Sequence, residues 1–382
     1  MKPRASIPHV CLVPARFVSV FVILALIACS PAVTTPPPAT ATLPQASPGP
    51  VILPLSERGP YPVGRRMFTF EDASRENREI GITVWYPAVR PADSTGSGPI
   101  PDADPDISGA PYPLILSSTK VGNIFATHLV SHGFVVAGIN DADSADLWGL
   151  WLLDYPLDIV FMLDQIASQP LDGLEGVIDA NRAGAMGYSF DGYDALALGG
   201  ARVDPEFYLA QCTQAPRLRP ALPEWWVEYI CGMAGEWEEF AAHAGEAITT
   251  SEDGLWQPIT DERIRAVMPM APEGAWLFGE RGLAAVNRPT LIIGATKDDI
   301  NLYDQEAAYI FEHIGTPDRA MISFVGKGHM MILSVDPVAY MKHLAAAFFG
   351  YYLQGRDDYA EYFSEDFVAQ HDELAWGVYT GE

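Results

Sequence analysis

Between residues 182 and 198 the chain changes its structural period almost without a spacer. Arg182-Ala183-Gly184-Ala185-Met186 reads as a buried strand, Tyr193 to Leu198 reads as a helix, and Gly187-Tyr188-Ser189-Phe190-Asp191-Gly192 is all that joins them. A strand that feeds straight into a helix is the unit from which parallel sheets are built. A serine at such a joint has the form of a nucleophile elbow: its hydroxyl projects from the sheet edge, and the next backbone N–H points to where an oxyanion would form. That geometry calls for a carboxylate and then a histidine further along the chain.

Both are present in that order. Pro289-Thr290-Leu291-Ile292-Ile293-Gly294 is a short β-branched run with the look of a fully buried strand, and Asp298 and Asp299 lie just past its C-terminal end. Met321-Ile322-Ser323-Phe324-Val325 repeats the arrangement one helix later, with His329 in the loop that follows. Ligand chemistry on open parallel sheets gathers at the C-terminal ends of strands, so the three segments are expected to meet in one crevice. Ser189, Asp298 and His329 are the candidate catalytic residues, with Asp299 as the rival carboxylate in the same turn. His128 and His132 read as structural.

The remaining pattern is consistent with one large α/β domain. Strands are expected near 66–71, 80–86, 112–117, 134–139, 182–188, 264–270, 289–295 and 320–325, the early ones antiparallel and the later ones parallel. Helices are expected over 124–131, 156–167, 190–198, 302–313 and 337–353. In the second of these Leu157, Val160, Phe161 and Leu163 fall at helical spacing and mark a core-facing side. The stretch 204–263 interrupts the alternation between two strands and carries Trp225, Trp226, Trp237 and Trp256, which suggests a helical cap over the crevice, its tryptophans mainly packing residues.

The N-terminus reads as a targeting segment. Lys2, Arg4 and Arg16 precede an apolar stretch over 17–28 that ends in Leu26-Ile27-Ala28-Cys29. This resembles a bacterial lipoprotein signal, in which Cys29 becomes the acylated first residue, so an extracytoplasmic, lipid-anchored location in the cell envelope is expected. The expected divisions are a signal over 1–28, a Pro/Thr/Ala-rich tether over 29–60 and a domain over 61–382. The net charge of −26 becomes more negative once those three basic residues are removed, which disfavours nucleic acid and anionic membranes and favours neutral substrates; that these are small-molecule or lipid esters is what the family resemblance given below implies. Of the four cysteines, Cys212 and Cys231 remain as an even pair for a disulfide in an oxidising compartment. No Cys and His spacing suggests a metal site, and nothing points to a cofactor.

Four stretches together resemble a known family. Glu71-Asp72-Ala73-Ser74-Arg75-Glu76-Asn77-Arg78, Val84-Trp85-Tyr86-Pro87-Ala88, Ser131-His132-Gly133-Phe134-Val135-Val136-Ala137 and Gly187-Tyr188-Ser189-Phe190 look like α/β-hydrolases of the dienelactone-hydrolase-like group, with the platelet-activating-factor acetylhydrolases nearest in likeness. The resemblance spans about 61–348. It implies the α/β-hydrolase fold, hydrolysis of carboxylic esters, and a triad of Ser189 as nucleophile, Asp298 as acid and His329 as base. The N–H groups of Phe190 and Val121 would form the oxyanion hole.

Two departures from the family pattern stand out. The usual His-Gly pair is replaced by Ser117-Ser118-Thr119-Lys120-Val121-Gly122, and Asp191 stands where the elbow usually has glycine. Lys120 is a candidate to offset the Asp191 charge. Cleavage of peptides or lactones on the same fold, or an inactive envelope-binding protein, stay open as alternatives.

Overall fold

The computed structural model describes residues 53–92, 96, 98–140 and 149–381, all within one unit spanning 50–382. The expected signal, Cys29 and most of the tether lie outside the described residues. Residues 53–60 lie against the domain: Leu55 is buried and its N–H donates to His343 Nδ1 at 3.1 Å. No helix among the described residues is long and apolar enough to cross a membrane.

Ten strands form one mixed, mostly parallel sheet. They are β1 (Val63–Asp72), β2 (Arg78–Pro87), β3 (Ile100–Pro101), β4 (Tyr112–Ser118), β5 (Val135–Ile139), β6 (Ile178–Tyr188), β7 (Ile264–Met270), β8 (Thr290–Ala295), β9 (Arg319–Phe324) and β10 (Leu374–Trp376), in the spatial order β10-β9-β8-β7-β6-β4-β5-β2-β1-β3. From β5 through β9 every neighbouring pair is parallel, whereas β1 with β2, β2 with β5 and β9 with β10 are antiparallel. The eight expected strands are all present. The short edge strands β3 and β10 are too brief to leave a periodic signal.

Helices cover both faces, which explains why the parallel strands read as unbroken apolar runs. On one face α1 (Thr119–Ser131) and α10 (Val335–Gln354) bring Phe125, Leu129, Leu344 and Phe348 onto Ile115, Val136 and Met186. On the other α2 (Trp151–Ser168) sets Ile159, Met162 and Leu163 against Ile82, Leu116 and Ala185. The helix starts before Pro156 rather than at it. The helix expected over 124–131 begins five residues earlier, at Thr119, because β4 runs directly into it.

The insertion over 204–263 is helical, as expected: α4 (Pro205–Gln214), α5 (Glu224–Ile230), α6 (Trp237–Ala244) and α7 (Glu246–Thr249). Trp226, Trp237 and Trp256 pack in its interior with α3 (Phe190–Leu198), α8 (Ala275–Leu283) and α9 (Ala307–His313), while Trp225 is exposed. Cys212 and Cys231 form a disulfide between the ends of α4 and α5, Cα to Cα 5.5 Å. The short α11 (Glu365–Val368) precedes β10.

Candidate active site

The chain passes from β4 through α1 to β5 on one side, then through α2 back across to β6 on the other. The sheet order therefore reverses at β4, and the crevice beyond the C-terminal ends of β4 and β6 is the topological switch point where open α/β sheets bind ligands.

Ser189 sits at that point between β6 and α3 with φ 61° and ψ −120°, a region a residue with a Cβ rarely enters and one that costs about 1–3 kcal/mol. The turn is held in place from both sides. The Ser189 N–H donates to the Met270 carbonyl at 2.8 Å, and the Gly192 N–H donates to the Ser189 carbonyl at 2.8 Å. A Cβ on Gly187 would lie 1.7 Å from the Asp191 carbonyl oxygen, and one on Gly192 would lie 2.9 Å from Pro272 Cα, so both glycines are demanded by close backbone approach.

His329 meets both of its expected partners. Its Nε2 is 2.9 Å from Ser189 Oγ, and its Nδ1 is 2.9 Å and 3.0 Å from the two carboxylate oxygens of Asp298. An ionised carboxylate only accepts, so Nδ1 carries the proton and Nε2 presents its lone pair to the Ser189 hydroxyl. Asp298 Oδ1 also accepts from the N–H groups of Ile300 at 3.0 Å and Asn301 at 2.8 Å, which fixes the carboxylate plane. Asp298 is buried, whereas Asp299 is exposed and makes no bond to the imidazole. The two loops are pinned together: Lys297 N–H donates to Lys327 O at 2.8 Å, and Gly326 N–H donates to Thr296 Oγ1 at 2.8 Å. Beneath the ring, the Tyr188 hydroxyl donates to the His329 carbonyl.

The other candidates fall as follows. Phe190 is the first residue of α3, and Val121 lies in the first turn of α1, so both N–H groups belong to the four that an α-helix leaves without an internal acceptor. The two helices start from neighbouring strands, with their positive ends at one crevice. Asp191 is buried, and its Oδ2 accepts from the Ser118 hydroxyl at 2.8 Å, a bond that bridges the ends of β4 and β6. Lys120 is exposed, and its charge reaches Asp194 as a lowering influence. His128 is buried, with desolvation pushing it down to about 3, and His132 Nε2 contacts the Glu57 carbonyl at 2.9 Å.

Sequence reading missed the acidic groups beside the relay. Glu273, three residues beyond β7, is buried; desolvation pushes it up to about 7, against the pull of the Tyr229 hydroxyl. Tyr229, on α5, donates to both of its oxygens at 3.0 and 3.2 Å, so the cap touches the rim directly. Glu306 and Asp194 are buried too, and desolvation raises both well above the ordinary carboxyl range. Trp151 stacks on Phe190 with ring centroids 3.3 Å apart. Among the described residues no group of three or more His, Cys, Asp or Glu side chains is placed to hold a metal ion.

In comparisons with known proteins, no family model and no curated protein matches the chain. The class rests on the architecture: an α/β fold whose mostly parallel sheet and flanking helices are compatible with the α/β-hydrolases.

Proposed function

We propose that the protein is an exported serine hydrolase that cleaves carboxylic esters. The observation that carries this reading is the buried relay Asp298–His329–Ser189, whose members come from three separate strand ends and meet at hydrogen-bond distance. In the first step His329 Nε2 takes the Ser189 proton as Oγ attacks the ester carbonyl carbon, while Asp298 holds the imidazolium. The N–H groups of Phe190 and Val121 stabilise the tetrahedral oxyanion. Collapse breaks the C–O bond, and the proton on His329 leaves with the alcohol. Water then attacks the acyl-enzyme, gives its proton to the same nitrogen, and releases the acid and free Ser189.

The likeness to the dienelactone-hydrolase-like group, and within it to the platelet-activating-factor acetylhydrolases, supports short acyl chains. The signal-like N-terminus supports attachment to the cell envelope through a lipidated Cys29, for which a Cys29→Ser chain released in soluble form is the check.

A fluorophosphonate probe tests the central claim. It is expected to label the wild type and not Ser189→Ala; equal labelling of both, or none of either, overturns the reading. A panel of p-nitrophenyl esters against peptide amides and lactones then separates the ester from the other bonds.

A further inference from the structure

Both helices that start at the crevice are preceded by a serine, and neither serine caps its helix. Serine is among the preferred cap residues because its oxygen accepts from the N–H of the second or third helical residue. Ahead of α3, the Ser189 hydroxyl faces His329 instead. Ahead of α1, Ser118 has the extended backbone of an ordinary cap, φ −87° and ψ 163°, yet its hydroxyl makes no bond to the helix that it precedes. It donates to Asp191 Oδ2 at 2.8 Å, so the two departures from the family pattern touch each other.

The first three residues of α1 are Thr119, Lys120 and Val121. A capping Ser118 would therefore take the N–H of Lys120 or of Val121, and Val121 is the second oxyanion donor of the proposed mechanism. Ser118 is 1% exposed, and a buried hydroxyl has to find its partner inside the protein. Its backbone is closely packed, since a Cβ on Gly138 of β5 would lie 2.9 Å from the Ser118 carbonyl carbon. The choice left to the side chain is between its own helix and the carboxylate.

We infer that Asp191 is a positioning residue: by taking the Ser118 hydroxyl, it keeps the first turn of α1 uncapped and leaves the Val121 N–H to the substrate oxyanion. A hydrogen bond to an ionised acceptor is roughly twice as strong as a neutral one, so the carboxylate outcompetes the helix. The arrangement has a cost, because a negative charge one residue beyond the Phe190 N–H opposes the oxyanion that it helps to admit. Burial raises the carboxyls of Asp194 and Glu273, and the Asp191 charge adds to both. Bond and charge pull in opposite directions, and variants can separate them.

This rests on the hydrolase reading, and the two fail separately. The measurement is kcat and KM on one p-nitrophenyl ester, for variants that each show a native melting transition. Asp191→Ala is expected to lower kcat by about 10- to 100-fold and to change KM less than about threefold, because the oxyanion forms only in the transition state. Asp191→Gly takes its place should that variant fail to fold. Adding Ser118→Ala removes the hydroxyl that would cap Val121, and it is expected to restore kcat by about fivefold or more, although it deletes a second buried polar group. A merely structural bond predicts no such recovery. Asp191→Asn, whose amide oxygen still accepts from Ser118, is expected to come within about threefold of wild type or to exceed it, having lost only the opposing charge. A double variant no faster than Asp191→Ala, an Asp191→Asn enzyme equally slow, or an Asp191→Ala enzyme at the wild-type rate overturns the inference. Ester turnover by the wild type and its loss in Ser189→Ala then keep the hydrolase reading standing, whereas a wild type without turnover removes both.

Discussion

Asp298 and Glu306 leave the same strand, β8, eight residues apart, and both are buried, yet their surroundings differ sharply. Asp298 accepts from two backbone N–H groups and from an imidazole, so its charge is met inside the protein. Glu306 draws only on the Gly274 and Ala275 N–H groups at the start of α8, and burial holds its carboxyl well above the usual range. A buried charge that is fully met marks a finished device. One that is poorly met favours a carboxyl that keeps its proton.

Four experiments would break or sharpen that contrast. The largest effect is expected at the relay itself. Ser189→Ala should lower ester kcat by about 10⁶-fold and Asp298→Asn by about 10⁴-fold, whereas Asp299→Asn should change it less than about threefold; steady-state rates on one p-nitrophenyl ester decide. An equal loss in both aspartate variants would erase the distinction between them.

Next is the pH dependence of stability, expected to differ between wild type and Glu273→Gln. The Glu273 carboxyl sits at about 7 in the folded state against 4.5 ordinarily, so the folded protein holds its proton more tightly. Its burial penalty is absent below about 4.5 and complete above about 7, worth on the order of 3 kcal/mol. Buried His128 and His343, pushed down to about 3 and about 4, act oppositely: the folded state binds fewer protons, so stability rises with pH up to about 6.5. The raw curve mixes these slopes. The readout is therefore the difference between the two proteins in urea unfolding at pH 4.5 and pH 7.5, which should shift toward the variant as pH rises. A constant difference would mean that burial does not raise the Glu273 carboxyl in the folded state.

Of similar size is the cap staple. The bond closes a span of 19 residues, so Cys212→Ala with Cys231→Ala should destabilise by about 3 kcal/mol, seen as an earlier unfolding phase in tryptophan fluorescence. The smallest effect is expected for Ser118→Ala, which leaves Asp191 Oδ2 without its hydroxyl donor across the crevice. The cost should be about 1–3 kcal/mol in stability by calorimetric melting.

The relay was legible because each of its members follows a strand whose apolar run is unmistakable, so that order along the chain translated into nearness in space. The same logic applied to β7 points at Glu273, but with no serine, histidine or paired acid after Met270 the sequence offered nothing to single it out. The helix expected over 302–313 includes Glu306, whereas turns occupy 300–306 and α9 begins only at Ala307. The first five residues of α1, 119–123, lie outside the helix expected from the sequence. Ser118 and Thr119 favour non-helical caps, and Gly122 and Asn123 are weak helix formers that obscure the spacing from Val121 to Phe125. The expectation of packing tryptophans in the insertion holds for Trp226, Trp237 and Trp256 but not for the exposed Trp225, and the reach of Tyr229 to the rim depends on tertiary docking that no local pattern encodes.

Residues Leu374–Trp376 have one more part to play. They pair with Ile322–Phe324, and beyond them Gly377 and Tyr379 bond to Ser323 and Tyr303, so the exposed flank of the sheet is sealed by the last few residues of the described chain. Shortening the protein by ten residues would bare a row of unpaired backbone groups on an apolar strand, the surface on which chains stack edge to edge. A clipped preparation that clouds on standing would report the loss of this seal before any assay does.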